Sequence, residues 1–209
     1  ASNMNIVFLT GAGVSAESGV PTFRDDENGL WNKYDVMEVA HVKGWRENPQ
    51  YLIDFHNVLR DLILSKEHNH AHDVIAQIQN STDHTVNVLT TNVDDFHERA
   101  GSKNVLHIHG NIMEYCKYTT RDYVETVGDK IEYPKVAMDG EHLRPNVVWF
   151  GEDVDEYYKA SRIVRKADML VIVGASMTVF PTAGLLDETS SVCKIVYINP
   201  VIEDCDKYN

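Results

Sequence analysis

The chain has 209 residues, of which 43% are hydrophobic and 24% are charged, and its formal net charge at pH 7 is -13. This length fits one full-sized domain, with or without a small insertion, and the globular composition excludes a disordered or collagen-like chain. The negative charge repels phosphate backbones and anionic lipid, so nucleic acid and membranes are not expected partners. No apolar run reaches the roughly 20 residues of a membrane span and no secretion signal opens the chain, so a cytoplasmic protein is expected.

The first three residues precede Met4 and look like the remnant of an expression tag, so the expected fold begins at Met4. Short runs rich in β-branched residues predict buried strands, and in chain order they are 5–10, 84–90, 104–107, 169–173 and 194–198. Between them, apolar residues recur at helical spacing over 51–64 and 70–79. This alternation predicts an α/β fold, a Rossmann-like doubly wound parallel sheet covered on both faces by helices.

Two stretches interrupt the alternation and predict a small inserted subdomain. The segment 110–144 is polar and has no strong helical or strand period, and residues 31–64 form a second inserted part. The Rossmann-like domain is therefore assigned to 4–30, 65–109 and 145–209, while 31–64 and 110–144 are assigned to the inserted subdomain and cofactor-binding loop region. Residues 146–150 (NVVWF) are interpreted as a further strand.

A glycine-rich turn follows the first predicted strand. Residues 11–16 read GAGVSA, which fits the dinucleotide-binding fingerprint of two glycines and a third small residue. Gly11 permits a tight turn and Gly13 lets a backbone approach a pyrophosphate, although the same pattern also occurs in an ordinary strand-to-helix turn. Gly19 and Pro21 then break the helix, which is unlike a dehydrogenase.

Several segments in order resemble the motifs of the sirtuin family of NAD-dependent protein deacylases. They are GAGVSAESGVPTFRD (11–25), TTNVDDFHERAG (90–101), HIHG (107–110), RPNVVWFGE (144–152), VGASMTVFPTAG (173–184) and INP (198–200). The resemblance implies an enzyme, a deacetylase or desuccinylase, that uses NAD as a co-substrate. It would release nicotinamide and transfer the acyl group to ADP-ribose as O-acyl-ADP-ribose. The implied partners are acylated lysine side chains of proteins or peptides.

The resemblance also implies the catalytic residues. His109 matches the general base that acts on a ribose hydroxyl, a role that suits an imidazole with an ordinary pKa near 6.5. Asn92 would orient a ribose or a water, and Asp94 would bond the nicotinamide carboxamide. The residues alone favour another interpretation of Asp94, as a helix N-cap before Phe96, and the two roles are compatible.

Further residues match positions that hold NAD in the family. Ser15 and the main chain of Ala12 would meet the pyrophosphate, while Phe23 and Arg24 resemble the nicotinamide-pocket aromatic and the phosphate-ribose clamp. The implied cofactor-binding set is Gly11, Ala12, Gly13, Ser15, Phe23, Arg24, Thr91, Asn92, Asp94, Gly174, Ala175, Ser176 and Asn199. Thr91 stands where the family usually has Gln, and the sequence leaves open whether NAD binding weakens as a result. Buried packing is the alternative interpretation of the Gly174 turn.

The implied substrate-binding residues form two groups. Val148, Trp149, Phe150 and Gly151 resemble the acyl-lysine tunnel and the edge to which a substrate peptide adds as a strand, whereas the residues alone indicate simply a strand. His56 and Arg60, at positions i and i+4 of the predicted helix, lie near the places where family members that remove acidic acyl groups carry Tyr and Arg. The preferred acyl group, the target protein and the oligomeric state stay open.

Most sirtuins hold a structural zinc in the small domain with two pairs of cysteines. Of the three cysteines here, Cys116, Cys193 and Cys205, the first alone falls in that interval. One thiolate cannot form a closed tetrahedral site, so no zinc is expected and the subdomain is expected to be held by packing of its tyrosines. The chain also ends soon after Pro200, where sirtuins usually run on, so its C-terminus is either compact or truncated.

Two alternatives accompany the deacylase hypothesis. In a sirtuin-like ADP-ribosyltransferase or NAD glycohydrolase, another nucleophile or water attacks the same ribose carbon, and the presence of His109 favours deacylation over this alternative. A non-catalytic NAD-sensing module is the alternative from another class. Asn92, Asp94 and His109 count against it, because a pure binder does not need all three.

Overall fold

The computed structural model describes residues 3–21 and 30–199. Its strands are β1 Asn5–Thr10, β2 Thr85–Thr90, β3 Val105–His107, β4 Gly110–Lys117, β5 Tyr123–Thr126, β6 Lys135–Val136, β7 His142–Val147, β8 Met169–Val173 and β9 Lys194–Ile198. Its helices are α1 Ala12–Ala16, α2 Val36–Val39, α3 Val42–Glu47, α4 Pro49–Leu64, α5 His70–Ser81, α6 Phe96–Arg99, α7 Tyr157–Arg165 and α8 Thr182–Leu186, with a 3-10 helix at Leu30–Lys33. None of these helices is long and apolar enough to cross a bilayer.

The larger sheet has the strand order β3-β2-β1-β8-β9, and all of its neighbouring strands are parallel. The central strand β1 is buried along almost its whole length. Its Val7 and Leu9 pack with residues of α7 and α8, whereas Ile6 and Phe8 pack on the opposite face with Ile75 of α5. Helices therefore cover both faces of the sheet, and the predicted Rossmann-like α/β class is confirmed.

The smaller sheet is antiparallel and has the order β5-β4-β7-β6. Its buried side chains Ile112 and Leu143 belong to one hydrophobic cluster with Leu52, Phe55 and Ile63 of α4. Side chains from both interrupting segments therefore share a core beside the parallel sheet. The domain limits drawn from the sequence stay a prediction.

Some boundaries differ from the sequence-based expectation. Helix α4 begins at Pro49, because the Asn48 side chain accepts a hydrogen bond from the Tyr51 N–H and caps the helix there. The segment 110–144, which shows no strong period, contains β4, β5, β6 and the start of β7. The predicted strand 146–150 is wrong beyond Val147: the chain leaves β7 there, and Phe150 instead forms an isolated bridge with His41.

Candidate active site

The predicted site residues meet where the central parallel strands end. Thr10 of β1 lies in register with Thr90 of β2 and with Val173 of β8. The loops that follow these strands carry the glycine turn, the Thr91–Asp94 segment and the Gly174–Ser176 segment. Ligands of open α/β sheets bind at this carboxyl edge, so the geometry agrees with the place expected for a nucleotide.

The two glycine turns pack directly against each other. The Gly13 N–H donates to the Gly174 carbonyl over 2.8 Å, and the Gly11 N–H donates to the Val173 carbonyl over 3.1 Å. A Cβ atom on Gly11 would lie 2.7 Å from the Ala175 Cβ, and one on Gly13 would lie 2.8 Å from the Gly174 Cα. Gly174 itself has a φ of +65°, which favours glycine. The close contact of the turns therefore requires glycine at these positions, and approach to a pyrophosphate stays a prediction.

Ser15, Asn92 and Asp94 form one buried polar network. The Ser15 Oγ donates to Asp94 Oδ2 over 2.6 Å. The Asn92 Nδ2 donates to the Gly11 carbonyl over 2.9 Å and to Ser15 Oγ over 3.1 Å. Each of the three side chains is less than 9% exposed. The network therefore joins the glycine turn to the loop after β2.

Asp94 belongs to the buried network and also contacts the start of helix α6. Its Oδ1 accepts a hydrogen bond from the Phe96 N–H over 3.1 Å at the start of α6, while Oδ2 accepts from Ser15. Burial raises the pKa of Asp94, and the bonds from Ser15 and Phe96 oppose that rise. The Asp94 side chain thus accepts a hydrogen bond from the first turn of α6, as a capping residue does, although the N-cap position itself is Asp95.

His109 lies in the turn between β3 and β4, half-buried. Burial lowers its pKa, and a hydrogen bond with the Thr91 backbone opposes that shift. The imidazole is therefore neutral at pH 7, the form that accepts a proton. Thr91 is itself fixed, because its N–H donates to the Thr10 carbonyl over 3.0 Å. The structure thus brings the predicted base to the loop that carries Asn92 and Asp94.

The predicted adenosine end lies at the ends of β8 and β9. Asn199 donates to the Tyr197 hydroxyl over 2.8 Å and to the Ala175 carbonyl over 3.5 Å. The Ser176 and Thr178 hydroxyls are 3.0 Å apart. Side chains after both strands therefore meet beside the Gly174 turn. The predicted cofactor residues Phe23 and Arg24 lie outside the described residues.

The predicted peptide edge is partly occupied by the protein itself. The Phe150 N–H donates to the Ala40 carbonyl over 2.9 Å, and its carbonyl accepts from the Val42 N–H over 3.1 Å. The Val148 N–H donates to the His109 carbonyl over 2.9 Å. Phe150 leaves 56% of its surface exposed and Gly151 adopts a φ of +89°. A peptide strand would therefore have to use other main-chain groups of this segment.

Trp149 is buried in the hydrophobic cluster that the inserted subdomain shares with α4. Its Nε1 donates to His56 Nε2 over 3.0 Å, and His56 Nδ1 lies 2.8 Å from the Leu52 carbonyl. The carbonyl is an acceptor, so Nδ1 carries the proton of His56. Burial lowers the pKa of His56 to about 4. His56 is therefore a neutral residue that positions Trp149, and its predicted substrate contact stays a prediction.

Arg60 is also bound to the protein. Its Nη1 and Nη2 donate to the carbonyls of Asp129 and Gly128 over 3.0 and 2.7 Å. With 4% of its surface exposed, the guanidinium links α4 to the loop after β5. Arg60 thus has a structural role, and its predicted contact with an acidic acyl group stays a prediction.

Sequence reasoning missed the groups that hold the site residues in place. Arg144 lies over Trp149, with its Cζ 3.7 Å from the ring centroid, and makes a two-bond pair with Glu152 over 2.7 and 2.8 Å. His107 contacts the Asn92 carbonyl and is itself bonded to Glu98. All of these residues lie within the segments that resemble sirtuin motifs, and that position is the sequence feature that could have identified them.

The residues of the small subdomain do not fit a structural zinc. The Cys116 thiol is buried, and burial raises its pKa to about 11. One thiol supplies only one of the four ligands of a closed zinc site. In the ranges 3–21 and 30–199, no three His, Cys, Asp or Glu side chains are grouped so as to hold a metal ion.

Comparison with known proteins agrees with the geometry. The profile of the Sir2 family matches residues 11–181. An NAD-dependent protein deacylase of Helicobacter pylori (strain J99) is 40% identical over 196 residues, which cover 94% of this chain and 82% of that protein. A protein of the same name from Bacteroides thetaiotaomicron is 41% identical over 208 residues, covering 94% and 85%.

Solved structures show the same relationship. A mutant Sir2 homologue in complex with ADP-ribose superposes with a TM-score of 0.83 and 34% identity, over 97% of this chain and 83% of that chain. A Sir2 mutant with a deacetylated peptide and 3'-O-acetyl ADP-ribose gives a TM-score of 0.75 and 27% identity, over 97% and 85%. On its motifs, its fold and these matches, the chain belongs to the Sir2 family.

Proposed function

We propose that the protein is an NAD-dependent protein-lysine deacylase. The observation that carries this proposal is the buried network of Ser15, Asn92 and Asp94 beside a neutral His109, at the carboxyl edge of the sheet. The overall reaction converts acyl-lysine, NAD and water to lysine, nicotinamide and O-acyl-ADP-ribose. The names of the similar deacylases and the deacetylated peptide bound to a family member support this activity and its acyl-lysine substrate class.

The residues of the network suit the nicotinamide riboside end of NAD. Asp94 is held by Ser15 and Phe96 and accepts a hydrogen bond from the carboxamide. Asn92 orients the ribose or a water. The acyl oxygen of the substrate attacks the ribose carbon, and nicotinamide leaves with the electrons of the bond that breaks. His109 takes the proton of a ribose hydroxyl, whose oxygen then bonds to the acyl carbon. The C–N bond to lysine breaks, the amine leaves with a proton, and water adds to the acyl carbon to release O-acyl-ADP-ribose.

We further propose that uncharged acyl groups such as acetyl are preferred over succinyl. His56 is neutral near pH 7, and both terminal nitrogens of Arg60 already donate to main-chain carbonyls. His56 therefore offers no positive charge, and the Nη1 and Nη2 groups of Arg60 are directed to the loop after β5 rather than to the carboxylate of a succinyl group. Desolvating an unpaired carboxylate in an apolar tunnel costs more than burying an acetyl methyl group, so succinyl-lysine is the poorer substrate.

Product analysis by mass spectrometry tests the function. The purified protein is incubated with NAD and with acetyl-lysine or succinyl-lysine peptides of one sequence. We expect nicotinamide, O-acetyl-ADP-ribose and free lysine, with slower turnover of the succinyl peptide. Free ADP-ribose without any change in the peptide would instead indicate an NAD glycohydrolase, and peptide-linked ADP-ribose a transferase. NAD binding without any product would indicate a non-catalytic NAD-sensing module.

Two histidine variants test the assignment of the base. His109→Tyr is expected to abolish turnover, because tyrosine cannot take a proton at neutral pH. His142→Tyr is the matched control, since His142 is exposed at the start of β7 and far along the strand from the site. Wild-type turnover in His109→Tyr would remove His109 from the mechanism.

We also propose that the small subdomain is held without zinc. Support comes from the buried Cys116 thiol and from bonds that join α4 to the loop after β5. The Asn57 Nδ2 donates to the Ile131 carbonyl over 2.9 Å, and the Ile131 N–H donates back to Asn57 Oδ1 over 2.8 Å. Together with Arg60, Asn57 fixes that loop by side-chain bonds to its main chain.

A further inference from the structure

The main-chain N–H and carbonyl of Asn92 both contact side chains that take no part in the proposed reaction. Its N–H donates to Thr90 Oγ1 over 3.1 Å. Its carbonyl lies 3.0 Å from Nδ1 of His107, the last residue of β3. The other ring nitrogen of His107, Nε2, lies 2.9 Å from a carboxylate oxygen of Glu98 on α6. Glu98, His107 and Asn92 thus form a chain of contacts that ends in the proposed site.

Hydrogen-bond chemistry fixes the charge of the ring. A carbonyl oxygen and an ionised carboxylate are both acceptors, so each nitrogen of His107 must carry a hydrogen to bond its neighbour. A neutral imidazole has one N–H and can satisfy one of them. The imidazolium satisfies both, and its contact with Glu98 is charge-assisted.

We infer that His107, held as an imidazolium between Glu98 and the Asn92 carbonyl, is a positioning residue that fixes Asn92 for catalysis. The inference rests on the proposed deacylase function and deepens it. Asn92 is the residue proposed to contact the ribose of NAD, and His107 acts through it. A displacement of about 1 Å at such a residue can cost up to about 100-fold in rate.

The groups around the ring agree with this charge state. Burial opposes the charge, but the hydrogen bond to Glu98 and its charge, the bond to the Asn92 carbonyl and the charge of Asp94 together raise the pKa of His107. His97, also on α6, is a nearby titratable group, and burial keeps it neutral by lowering its pKa to about 3. The His97 ring therefore adds no positive charge that would compete with His107.

Deprotonation of the His107 imidazolium is expected to break one of its two hydrogen bonds. As the pH rises through the raised pKa of His107, one N–H is lost. The carboxylate repels a bare lone pair more strongly than the carbonyl does, so the proton stays on Nε2 and the bond from Nδ1 to Asn92 is the one that breaks. Turnover by the wild-type protein is therefore expected to decline on the alkaline side.

Two substitutions at position 107 separate the two contacts. The amide nitrogen of Asn is as many bonds from Cα as Nδ1, whereas the amide nitrogen of Gln is as far as Nε2. His107→Asn should therefore keep the donor to Asn92, retain turnover and lose the alkaline decline. His107→Gln should keep the contact with Glu98 but release Asn92, so kcat is expected to fall by up to about 100-fold with a smaller change in KM for NAD.

Glu98→Gln provides an independent variant. The amide group introduced by this substitution can donate to Nε2, so a neutral His107 keeps its proton on Nδ1 and its bond to Asn92. Turnover near neutral pH should be retained and the alkaline decline should disappear. His142→Gln, His142→Asn and Glu67→Gln, at positions away from the site, are the matched controls and should behave as wild type.

A spectroscopic measurement needs no turnover. In nitrogen-15 NMR of the intact protein at about pH 6, both ring nitrogens of His107 are expected to carry hydrogen, with His107→Gln identifying the signals. A ring with one bare nitrogen at that pH would overturn the inference. Equal kcat and equal pH profiles for wild type, His107→Asn and His107→Gln would also overturn it. Absence of deacylation in the wild-type protein would contradict the proposed function instead, while the NMR result would still decide the charge of His107.

Discussion

The carboxyl edge of the parallel sheet and the small antiparallel sheet are both fixed by buried polar groups, but the chemistry differs. At the carboxyl edge the side-chain bond that joins β1 to β2 is between neutral groups. The Thr10 hydroxyl donates to Thr90 Oγ1 over 2.8 Å and lies 2.8 Å from His97 Nε2. Threonine hydroxyls both donate and accept, so this edge can rearrange around a lost bond.

The small sheet depends on a charged pair. Arg144, with 4% of its surface exposed, bonds both oxygens of Glu152, and Glu152 Oε1 also accepts from the Trp149 N–H over 2.9 Å. Arg121 approaches the same carboxylate, with 3.8 Å between Nη1 and Oε2. A buried charge that loses its partner has no such freedom to rearrange. Single substitutions should therefore harm the small sheet more than the carboxyl edge.

Acidification is the change with the largest expected effect, because it acts on both regions. Burial lowers the pKa of His56 to about 4, of His72 to about 4 and of His97 to about 3. The unfolded chain takes up these protons near pH 6.5, before the folded chain does. The free energy of unfolding is therefore highest above pH 6.5 and falls as the pH drops toward 4, by about 3 kcal/mol for His56 alone.

Urea unfolding between pH 7 and pH 4 measures this loss. His107 acts in the opposite direction, because its raised pKa favours the charged folded form, and it offsets part of the loss. His56→Gln is the matched variant: glutamine accepts from Trp149 but does not titrate, so its loss of stability on acidification should be smaller. The same pH dependence in His56→Gln and wild type would contradict the neutral state of His56.

Breaking the charged pair tests the comparison directly. Arg144→Met removes both bonds from Arg144 to the half-buried Glu152 carboxylate and leaves it with the Trp149 N–H and the more distant Arg121. The loss is expected to cost up to about 3 to 5 kcal/mol of unfolding free energy. Thr90→Val is the counterpart at the carboxyl edge: it removes one neutral hydroxyl, leaves the Thr10 hydroxyl and the Asn92 N–H without that acceptor, and should cost about 1 to 3 kcal/mol. Denaturant midpoints of the two variants, with unchanged slopes, give the comparison.

The double variant Arg144→Met with Glu152→Gln separates an unpaired charge from lost packing. Removing the charge should recover part of the stability, although the contact of Arg144 with the Trp149 ring stays lost. If Arg144→Met and Thr90→Val lower the stability equally, the two regions do not differ in the way described.

A smaller effect is expected where α4 binds the loop after β5. Asn57→Ala removes both bonds to the main chain of Ile131 and leaves its buried groups without partners, at a cost of about 1 to 3 kcal/mol. Gln50→Ala is the control on the same helix, because its bond to Asp54 is exposed. Thermal unfolding should show a loss for the first variant and almost none for the second.

The same comparison explains what the sequence could predict. Strands of the parallel sheet were found within a residue or two, because Val7 and Leu9 point to one buried face and Ile6 and Phe8 to the other, which leaves an unbroken apolar run. The small sheet gave no such signal. Tyr123–Thr126 is mostly exposed, and its pairing with β4 depends on residues distant in sequence.

The site divides in a similar way. Asn92, Asp94 and His109 could be predicted as site residues, because each stands in a short continuous segment that matches a family motif. The contacts that hold Asn92 come from β2, β3 and α6 at once, and no spacing in the sequence encodes that meeting. The glycine turn differs, because its motif is explained by a local contact as well. The motif predicted an approach to a pyrophosphate, and in the structure the Gly174 turn lies too close to Gly11 and Gly13 for any larger residue.

The smallest expected effect is that of removing metal. If side-chain bonds replace zinc in the small subdomain, dialysis against a chelator should leave the unfolding midpoint unchanged, and metal analysis should find no zinc bound in proportion to the chain. The reason is chemical: Cys116 is a single buried thiol, and within residues 3–21 and 30–199 no further His, Cys, Asp or Glu side chains are grouped with it to complete a zinc site. Cys116→Ala should therefore cost only the packing of a small side chain, and should respond to chelator as wild type does. About one zinc per chain, or a midpoint that falls with chelator in wild type and not in Cys116→Ala, would show that the small sheet depends on metal after all.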